Sequence, residues 1–271
     1  MVFPPEIWIL ALVALAVSSL GWKKFVYFIS LGYGFSIAAM GVAAALIFMK
    51  QLTLPTALLC LLLAAYGCRL GGFLLYRELC SASYRKELPS LTKTSTDLGA
   101  GAKMSIWISV VVLYVCQVSP VFYRLADPLP DGGRGSCAWA VAGASVMLLA
   151  LVLESLADHQ KSASKKVRPD RFCDTGLYRI VRCPNYFAEI LFWTGCLISG
   201  IGALHGWQWL VASMGYVCIV YIMFGGARRL EIRQNRRYGA DPEYRAYVSR
   251  TPVLLPLVPL FSVEKYKFLK G

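Results

Sequence analysis

The residues with the clearest chemical potential are Asn185 and Glu189, an amide and a carboxylate four positions apart. They open an apolar segment that follows a basic loop, and a spacing of four places both side chains on one face of a helix. A carboxylate at the mouth of a membrane helix is costly unless a partner or a polar ligand meets it. Arg179 and Arg182 lie just upstream. We therefore expect this face to bind a polar ligand that carries negative charge.

A second candidate group lies at the end of the preceding apolar segment, where Glu154 and Asp158 are one helical turn apart. A dense basic cluster follows them, consisting of Lys161, Lys165, Lys166, Arg168 and Arg171. Carboxylates beside cations suit a nucleotide, because the cations bind phosphates and the carboxylates accept from hydroxyls or amides. A solvated cluster of ion pairs at the membrane surface is the alternative. The glycine-rich loops of Rossmann and P-loop sites are absent from the sequence, which excludes both motifs.

Tyr66 and Arg69 form a third group, inside an apolar segment. A charged residue at that depth needs a partner or a water-filled cavity, and a tyrosine hydroxyl near a cation can donate a proton in catalysis. The alternatives are that Tyr66 only packs in the membrane and that Arg69 extends to the headgroups.

The segments that carry these groups predict an all-α, polytopic membrane bundle. Apolar residues make up 57% of the 271 and charged residues only 16%, where a soluble protein has about 25%. Apolar runs long enough to cross a bilayer recur along the chain. We predict about seven spans in a single integral membrane domain over residues 1–271, at 5–22, 25–48, 52–75, 104–124, 137–155, 185–203 and 207–225.

The distribution of charge predicts how this bundle is oriented. With seven spans, 24 of the 28 Lys and Arg residues lie on the side of the C-terminus, which the positive-inside bias assigns to the cytosol. This topology fits the endoplasmic reticulum of a eukaryote and the inner membrane of a bacterium equally. Nucleic acid is not an expected partner, because the basic residues are split among membrane-proximal loops. We expect no metal site, since the sequence has only two histidines and its nine cysteines form no Cys-x-x-Cys pair.

Three motifs give the chain a resemblance to the steroid 5α-reductase C-terminal superfamily, and within it to the DUF1295 branch. Residues 176–189 resemble Gly-Leu-Trp-Arg…Arg-His-Pro-Asn-Tyr-Phe-Gly-Glu of that branch. Residues 241–247, with Thr251 and Pro256, resemble its C-terminal signature, and residues 157–161 match Ala-Asp-x-Gln-Lys. The likeness covers residues 60–260.

The resemblance implies a seven-span reductase that binds NADPH from the cytosolic side. Hydride passes to the β-carbon of an activated double bond in a lipid that enters from the bilayer, and a tyrosine protonates the α-carbon. By position, Tyr66 is the expected proton donor, with Arg69 beside it. The residues expected to bind the cofactor are Glu154, Asp158, Lys165, Arg171, Asn185, Glu189, Arg228, Arg229 and Arg233.

Three departures from the family pattern bear on the substrate and on catalysis, and two other functions stay open. Cys183 replaces the motif histidine, Glu154 stands where the steroid enzymes have asparagine, and the second span has no Gln-Glu pair to hold a 3-oxo group. The first alternative is a membrane methyltransferase of the isoprenylcysteine or phospholipid type, which would bind S-adenosylmethionine. The single Glu231 in the C-terminal helix argues against it, because those enzymes show a glutamate pair there. The second alternative is a lipid-binding relative without catalysis. The sequence leaves the identity of the lipid and the oligomeric state open.

Overall fold

A computed structural model describes residues 4–80, 99–126 and 134–269 of the chain, apart from the side chains of 134–136. The described residues are helical and contain no strand, which confirms the predicted all-α class. Eight α-helices lie in these ranges: α1 Pro5–Ser18, α2 Leu31–Ile47, α3 Leu54–Cys80, α4 Ala100–Ala126, α5 Arg134–Val167, α6 Pro184–Ser199, α7 Trp207–Tyr238 and α8 Pro242–Arg250.

Six of the described helical segments are long and apolar enough to cross a membrane, so the chain is a multi-pass integral membrane protein. They are Pro5–Trp22, Phe25–Ile47, Leu54–Cys80, Ala100–Ala126, Cys137–Val167 and Trp207–Tyr238. The remaining predicted span corresponds to α6, whose 16 residues are fewer than the ~20 that cross a bilayer without thinning it. The predicted basic loop after α3 falls largely on residues 81–98, outside the described ranges.

The chain divides into two compact units, with boundaries inside α5, α6 and α7. The first unit comprises Met1–Ala144 and Cys196–Tyr216. Within it, glycines allow α2 and α3 to pack backbone to backbone. A Cβ atom on Gly67 would lie 2.3 Å from the Gly34 carbonyl oxygen and 2.4 Å from the Ala38 nitrogen. Close approach of this kind is typical of membrane helices, where small residues form the interfaces.

A buried arginine caps the C-terminal end of α6 in the first unit. Arg124 of α4 is 8% exposed, and its guanidinium donates to the carbonyl oxygens of Ser199 and, at 2.7 Å, Ile201. The last carbonyls of a helix have no partner within the helix, and a cation near them is favourable. Arg124 therefore stabilises the C-terminal end of α6.

The second unit comprises Ser145–Gly195 and Val217–Gly271. Gln160 on α5 fixes the loop that leads into α6, because its Oε1 accepts from the Leu177 nitrogen at 2.8 Å. A Cβ atom on Gly176 would lie 2.3 Å from that same oxygen, and its φ of +60° favours glycine. The Ala-Asp-x-Gln-Lys and Gly-Leu-Tyr-Arg motifs thus meet at this contact.

The C-terminal tail is bound to α7 and to the start of α6 by a buried ion pair. Arg182 and Glu231 join at 2.9 Å, and both side chains are 2% exposed. Arg182 also donates to the Phe261 carbonyl at 2.5 Å, and the second oxygen of Glu231 accepts from the Val263 nitrogen at 2.8 Å. These contacts hold the residues directly before Asn185 against the tail.

Candidate functional site

The Asn185 and Glu189 face predicted from spacing is present on α6. The helix begins at Pro184, a residue that suits the first helical turn because its missing N–H would have no partner there. Oδ1 of Asn185 is buried and accepts no hydrogen bond from any described residue. Glu189, one turn further on, is 6% exposed. A buried acceptor without a donor is costly, so this position suits a ligand that brings an N–H group.

Tyr186 connects this face to α7. It lies close enough to Cys183, Glu189, Arg229 and Arg233 to interact with them electrostatically. A Cβ atom on Gly226 would be 3.4 Å from the Tyr186 ring, so α7 passes directly beside it. The motif residues of α6 and the arginines of α7 therefore belong to one site within the second unit.

Lys161 extends the same site from α5, one turn after Asp158. Lys161 interacts electrostatically with Cys183, Arg233, Asp158 and Cys173. Lys161 donates no hydrogen bond to the described residues, although the protein surrounds it closely. An ammonium group in that position is available for an anionic ligand. The sequence placed Lys161 in the basic cluster after Asp158 but not among the residues expected to bind the cofactor, although its spacing of three from Asp158 was a usable signal.

A cationic cleft of about 500 Å³ lies along one face of α7. Its lining residues are Arg229, Ile232, Arg233, Arg236 and Arg237. Their spacing of three and four residues places them on a single helical face. Of the predicted set, Arg229 and Arg233 line this cleft. Arg236 and Arg237 were missed, although they continue the same spacing by one further turn.

Arg228 lies elsewhere on α7, where its Nε donates to the Glu264 carbonyl oxygen of the tail at 3.0 Å. Lys165 is engaged in a similar way: its Nζ donates to the carbonyls of Pro169 and Arg171 and, at 2.9 Å, to the Tyr238 hydroxyl. The Arg171 guanidinium pairs with Asp174 at 2.9 Å and with Glu243. These three cations therefore hold loops and the tail, whereas Lys161, Arg229 and Arg233 surround the α6 face.

The two predicted carboxylates of α5 differ in their exposure. Glu154 is 4% exposed, and Asp158 is half-buried and interacts with both Lys161 and Tyr178. Asp158 therefore lies with the cations of the site.

Cys183 is 3% exposed, and burial raises the pKa of its thiol to about 11, against the opposing fields of Lys161 and Arg182. The thiol is therefore neutral at physiological pH. The charge of the site therefore comes from Lys161, from the arginines of α7 and from the carboxylates of Asp158 and Glu189.

Tyr66 and Arg69 belong to the first unit. Tyr66 is fully buried, and its hydroxyl oxygen is 3.1 Å from that of Tyr33 on α2. The Arg69 guanidinium lies over the ring of Phe73, 5.9 Å from its centre. Tyr33 was missed by sequence reasoning, which considered only the order of residues along α3.

Groups of three or more His, Cys, Asp and Glu residues with the geometry to hold a metal ion do not occur in the described ranges. The charged groups of the second unit combine carboxylates on α5 and α6 with an ammonium and a row of guanidinium groups, a set that suits an organic anion. Guanidinium groups match phosphate oxygens in geometry as well as in charge.

Comparison with known proteins gives one match. Searches against curated proteins and against solved structures each return no similar protein. A family model described as "Protein of unknown function (DUF1295)" matches residues 17–251, which is most of the chain and includes every candidate residue above. The chain therefore belongs to the DUF1295 family.

Proposed function

We propose that this chain is a membrane-embedded reductase of the steroid 5α-reductase type, which uses NADPH to reduce an activated carbon–carbon double bond of a lipid. The observation that carries the proposal is the buried Asn185 acceptor, which has no donor among the described residues and lies beside Glu189 and close to a cationic cleft. A nicotinamide carboxamide supplies the N–H group that this acceptor lacks. The pyrophosphate and the 2′-phosphate supply negative charge to match the arginines of the cleft.

NADPH, when bound, supplies the hydride. The residues of the second unit that would hold it are Asn185 and Glu189 at the carboxamide, and Lys161, Arg229 and Arg233 at the phosphates. Arg236 and Arg237 extend the cationic surface at the outer end of the cleft. The carboxylate of Asp158 is suited to accept from a ribose hydroxyl.

The proton of the reaction comes from Tyr66 in this proposal. One hydride adds to the β-carbon and one proton from the Tyr66 hydroxyl adds to the α-carbon, so the double bond becomes a single bond. The tyrosinate left behind is reprotonated from water. Tyr33, whose hydroxyl is 3.1 Å away, can orient the donor, and the cation of Arg69 one turn later favours the tyrosinate.

The cationic cleft also separates the proposal from a methyltransferase. S-adenosylmethionine has no phosphate and carries a sulfonium cation, which the four arginines of the cleft would repel. We therefore expect the purified protein to bind NADPH and not S-adenosylmethionine.

The experiment is calorimetry on the detergent-purified protein with NADPH, NADH and S-adenosylmethionine. Glu189→Ala and Arg229→Gln should each weaken NADPH binding roughly 10- to 100-fold, since a hydrogen bond to a charged group is worth about 1.5–3 kcal/mol. Arg245→Gln is the matched control, because Arg245 is an exposed arginine of the same unit on α8. Binding of S-adenosylmethionine alone would replace the proposal with a methyltransferase. Binding of neither compound would indicate a lipid-binding protein without catalysis.

A further inference from the structure

Gln117 on α4 has a buried side-chain amide that makes no hydrogen bond to the described residues. The side chain is 2% exposed, and both Nε2 and Oε1 are buried without a partner among the described residues. Buried polar groups in folded proteins are almost always hydrogen-bonded, and a group left without a partner is destabilising. The same is true inside a bilayer, where no water compensates. Gln117 therefore needs a partner beyond the described residues.

The backbone of α4 around Gln117 is held firmly by its neighbours. Pro120 lies inside α4 and leaves the Cys116 carbonyl without its helical donor, and the Ser119 hydroxyl donates to that carbonyl at 2.8 Å. On α7, a Cβ atom on Gly215 would lie 2.6 Å from the backbone carbonyl carbon of Cys116 and 2.7 Å from the backbone nitrogen of Gln117. The backbones of α4 and α7 are therefore in close contact at Gln117.

Gln117 lies on the same face of α4 as Tyr114, three residues earlier. Tyr114 contacts Tyr33, which in turn contacts Tyr66, the proposed proton donor. The ring centres of Tyr114 and Tyr33 are 5.2 Å apart, and the Tyr33 hydroxyl is 3.1 Å from the Tyr66 hydroxyl. All four residues belong to the first unit. The amide, which has no partner among the described residues, is thus one helical turn from a cluster of three buried tyrosines.

We propose that Gln117 binds the lipid ligand by its polar oxygen, with Nε2 donating a hydrogen bond to a carbonyl group. The inference deepens the proposed function and rests on it for the reaction: the same lipid oxygen activates the double bond that Tyr66 protonates. It narrows the substrate to an apolar lipid that carries one hydrogen-bonding oxygen close to the reacting bond. Gln117 is a residue that determines specificity in this role.

The first test is the stability of the protein after delipidation, without any ligand. Gln117→Leu removes the unpartnered amide and should raise the melting temperature by about 2–4 °C, the shift typical of 1 kcal/mol in a protein of this size. Gln208→Leu is the matched control. Gln208 is equally buried in the same unit, at 5% exposed, but its Oε1 accepts from the His205 nitrogen at 2.9 Å, so its loss should lower the melting temperature. A fall in both variants would show that Gln117 already has a partner, such as a buried water, and would overturn the inference.

The second test measures lipid binding in the absence of NADPH. The probes are a 4-en-3-one sterol, a polyprenyl enal and a long-chain enone, each compared with its oxygen-free counterpart. We expect at least one carbonyl lipid to bind roughly tenfold more tightly than its counterpart, and Gln117→Leu to abolish that preference while leaving NADPH affinity unchanged. No preference in the wild type, or a preference that survives in Gln117→Leu, would overturn the inference. A preference that depends on Gln117 in a protein that binds no NADPH would retain the lipid site and reject the reductase.

Discussion

At the residue scale, the two arginines before α6 have different roles although they share one motif. Arg182 was read from the sequence as part of the cationic approach to an anionic ligand. In the structure it is buried against Glu231 and the Phe261 carbonyl, while the exposed Arg179 lies in the turn before it. The ion pair fixes the start of α6, and therefore the position of Asn185, by binding the tail. Arg182 acts on the site through the backbone that follows it.

Removal of one member of this ion pair should strongly destabilise the protein. Arg182→Met leaves the Glu231 carboxylate buried without its cation, and the loss of one partner of a buried pair costs about 3–5 kcal/mol. The double variant Arg182→Met with Glu231→Gln should recover part of that loss, because glutamine is neutral and still accepts from the Val263 nitrogen. Chemical denaturation of the purified protein measures both. A double variant less stable than Arg182→Met would contradict the assignment of the penalty to the buried charge.

Cys183 should make the protein less stable as the pH rises through the alkaline range. Its thiol has an ordinary pKa of about 8.5 in the unfolded chain, and burial raises the pKa to about 11 in the folded protein. Between these values the unfolded state loses the proton that the native state keeps, so the free energy of unfolding falls with rising pH. The total loss is roughly 3 kcal/mol, since each pKa unit is worth about 1.4 kcal/mol.

The measurement is unfolding from pH 8 to pH 11 for the wild type and for Cys183→Ala. Subtraction of the two curves removes the contribution of the buried tyrosines, which titrate in the same range. The wild type should lose stability more steeply than the variant. Parallel curves would mean that the thiol titrates at its ordinary pKa in the folded protein.

Local spacing predicted the shared face of Asn185 and Glu189, which the helix α6 carries. Arg229 and Arg233 were named from the family resemblance, and their spacing of four places both in one cleft. Lys165 and Arg171 could not be distinguished from Lys161 by sequence, because their difference lies in distant partners. Lys165 meets Tyr238 and Arg171 meets Glu243, each more than seventy residues away along the chain.

At the element scale, the packing of α2 on α3 depends on glycines that a hydropathy pattern does not distinguish from other small residues. The backbones of Gly34 and Gly67 lie close together. Tyr33 directly precedes Gly34 in the chain, and Tyr66 directly precedes Gly67. Close contact between the helices therefore brings the two tyrosine hydroxyls within hydrogen-bond distance. The sequence predicted the two helices but not their contact, because a contact depends on which faces meet.

Gly67 should tolerate no side chain, whereas Gly72 on the same helix should tolerate one. A Cβ atom on Gly67 would lie 2.3–2.4 Å from backbone atoms of α2, which cannot rotate away, while nothing lies within 4 Å of a Cβ atom on Gly72. We expect Gly67→Ala to lower the melting temperature by several degrees, since overpacking costs about 1–3 kcal/mol. Gly72→Ala should leave it unchanged or raise it, because alanine favours a helix by up to about 1 kcal/mol.

Thermal unfolding in one detergent measures both variants. Equal melting temperatures for Gly67→Ala and Gly72→Ala would contradict the close approach of α2 and α3. A smaller change in Gly34→Ala than in Gly67→Ala would still agree with it, because the Cβ contacts at Gly34 begin at 2.7 Å.

At the scale of the whole molecule, the helices extend beyond the apolar segments that predicted them. The sequence placed the end of the fifth span near residue 155 and that of the seventh near 225, but α5 continues to Val167 and α7 to Tyr238. Hydropathy detects only the part of a helix that lies in the hydrocarbon. The polar continuations carry Asp158, Lys161, Arg229 and Arg233, so the candidate cofactor site is built on regular helices.

Because α6 is shorter than an ordinary span, the number of crossings is the property of the whole molecule that most needs measurement. Positive charge predicts that residue 179 faces the cytosol and that residue 205 faces the opposite side, which requires α6 to cross. With α6 in place, seven crossings separate the N-terminus from the basic tail. Without it, residues 179 and 205 share a side, and the charge of the tail no longer agrees with that of the earlier loops.

Single cysteines at these positions decide the question. Arg179→Cys and His205→Cys are introduced into a chain whose exposed Cys68, Cys80 and Cys137 are replaced by alanine. In intact spheroplasts or sealed microsomes, a membrane-impermeant maleimide should label only one of the two positions, and permeabilisation should expose the other. In spheroplasts the position labelled first should be His205→Cys, and in sealed microsomes, whose outer face is cytosolic, it should be Arg179→Cys, because the basic side faces the cytosol. Labelling of both positions from one side would mean that α6 enters the membrane without crossing it, and the cofactor site could then not be assigned to the cytosolic face by charge alone.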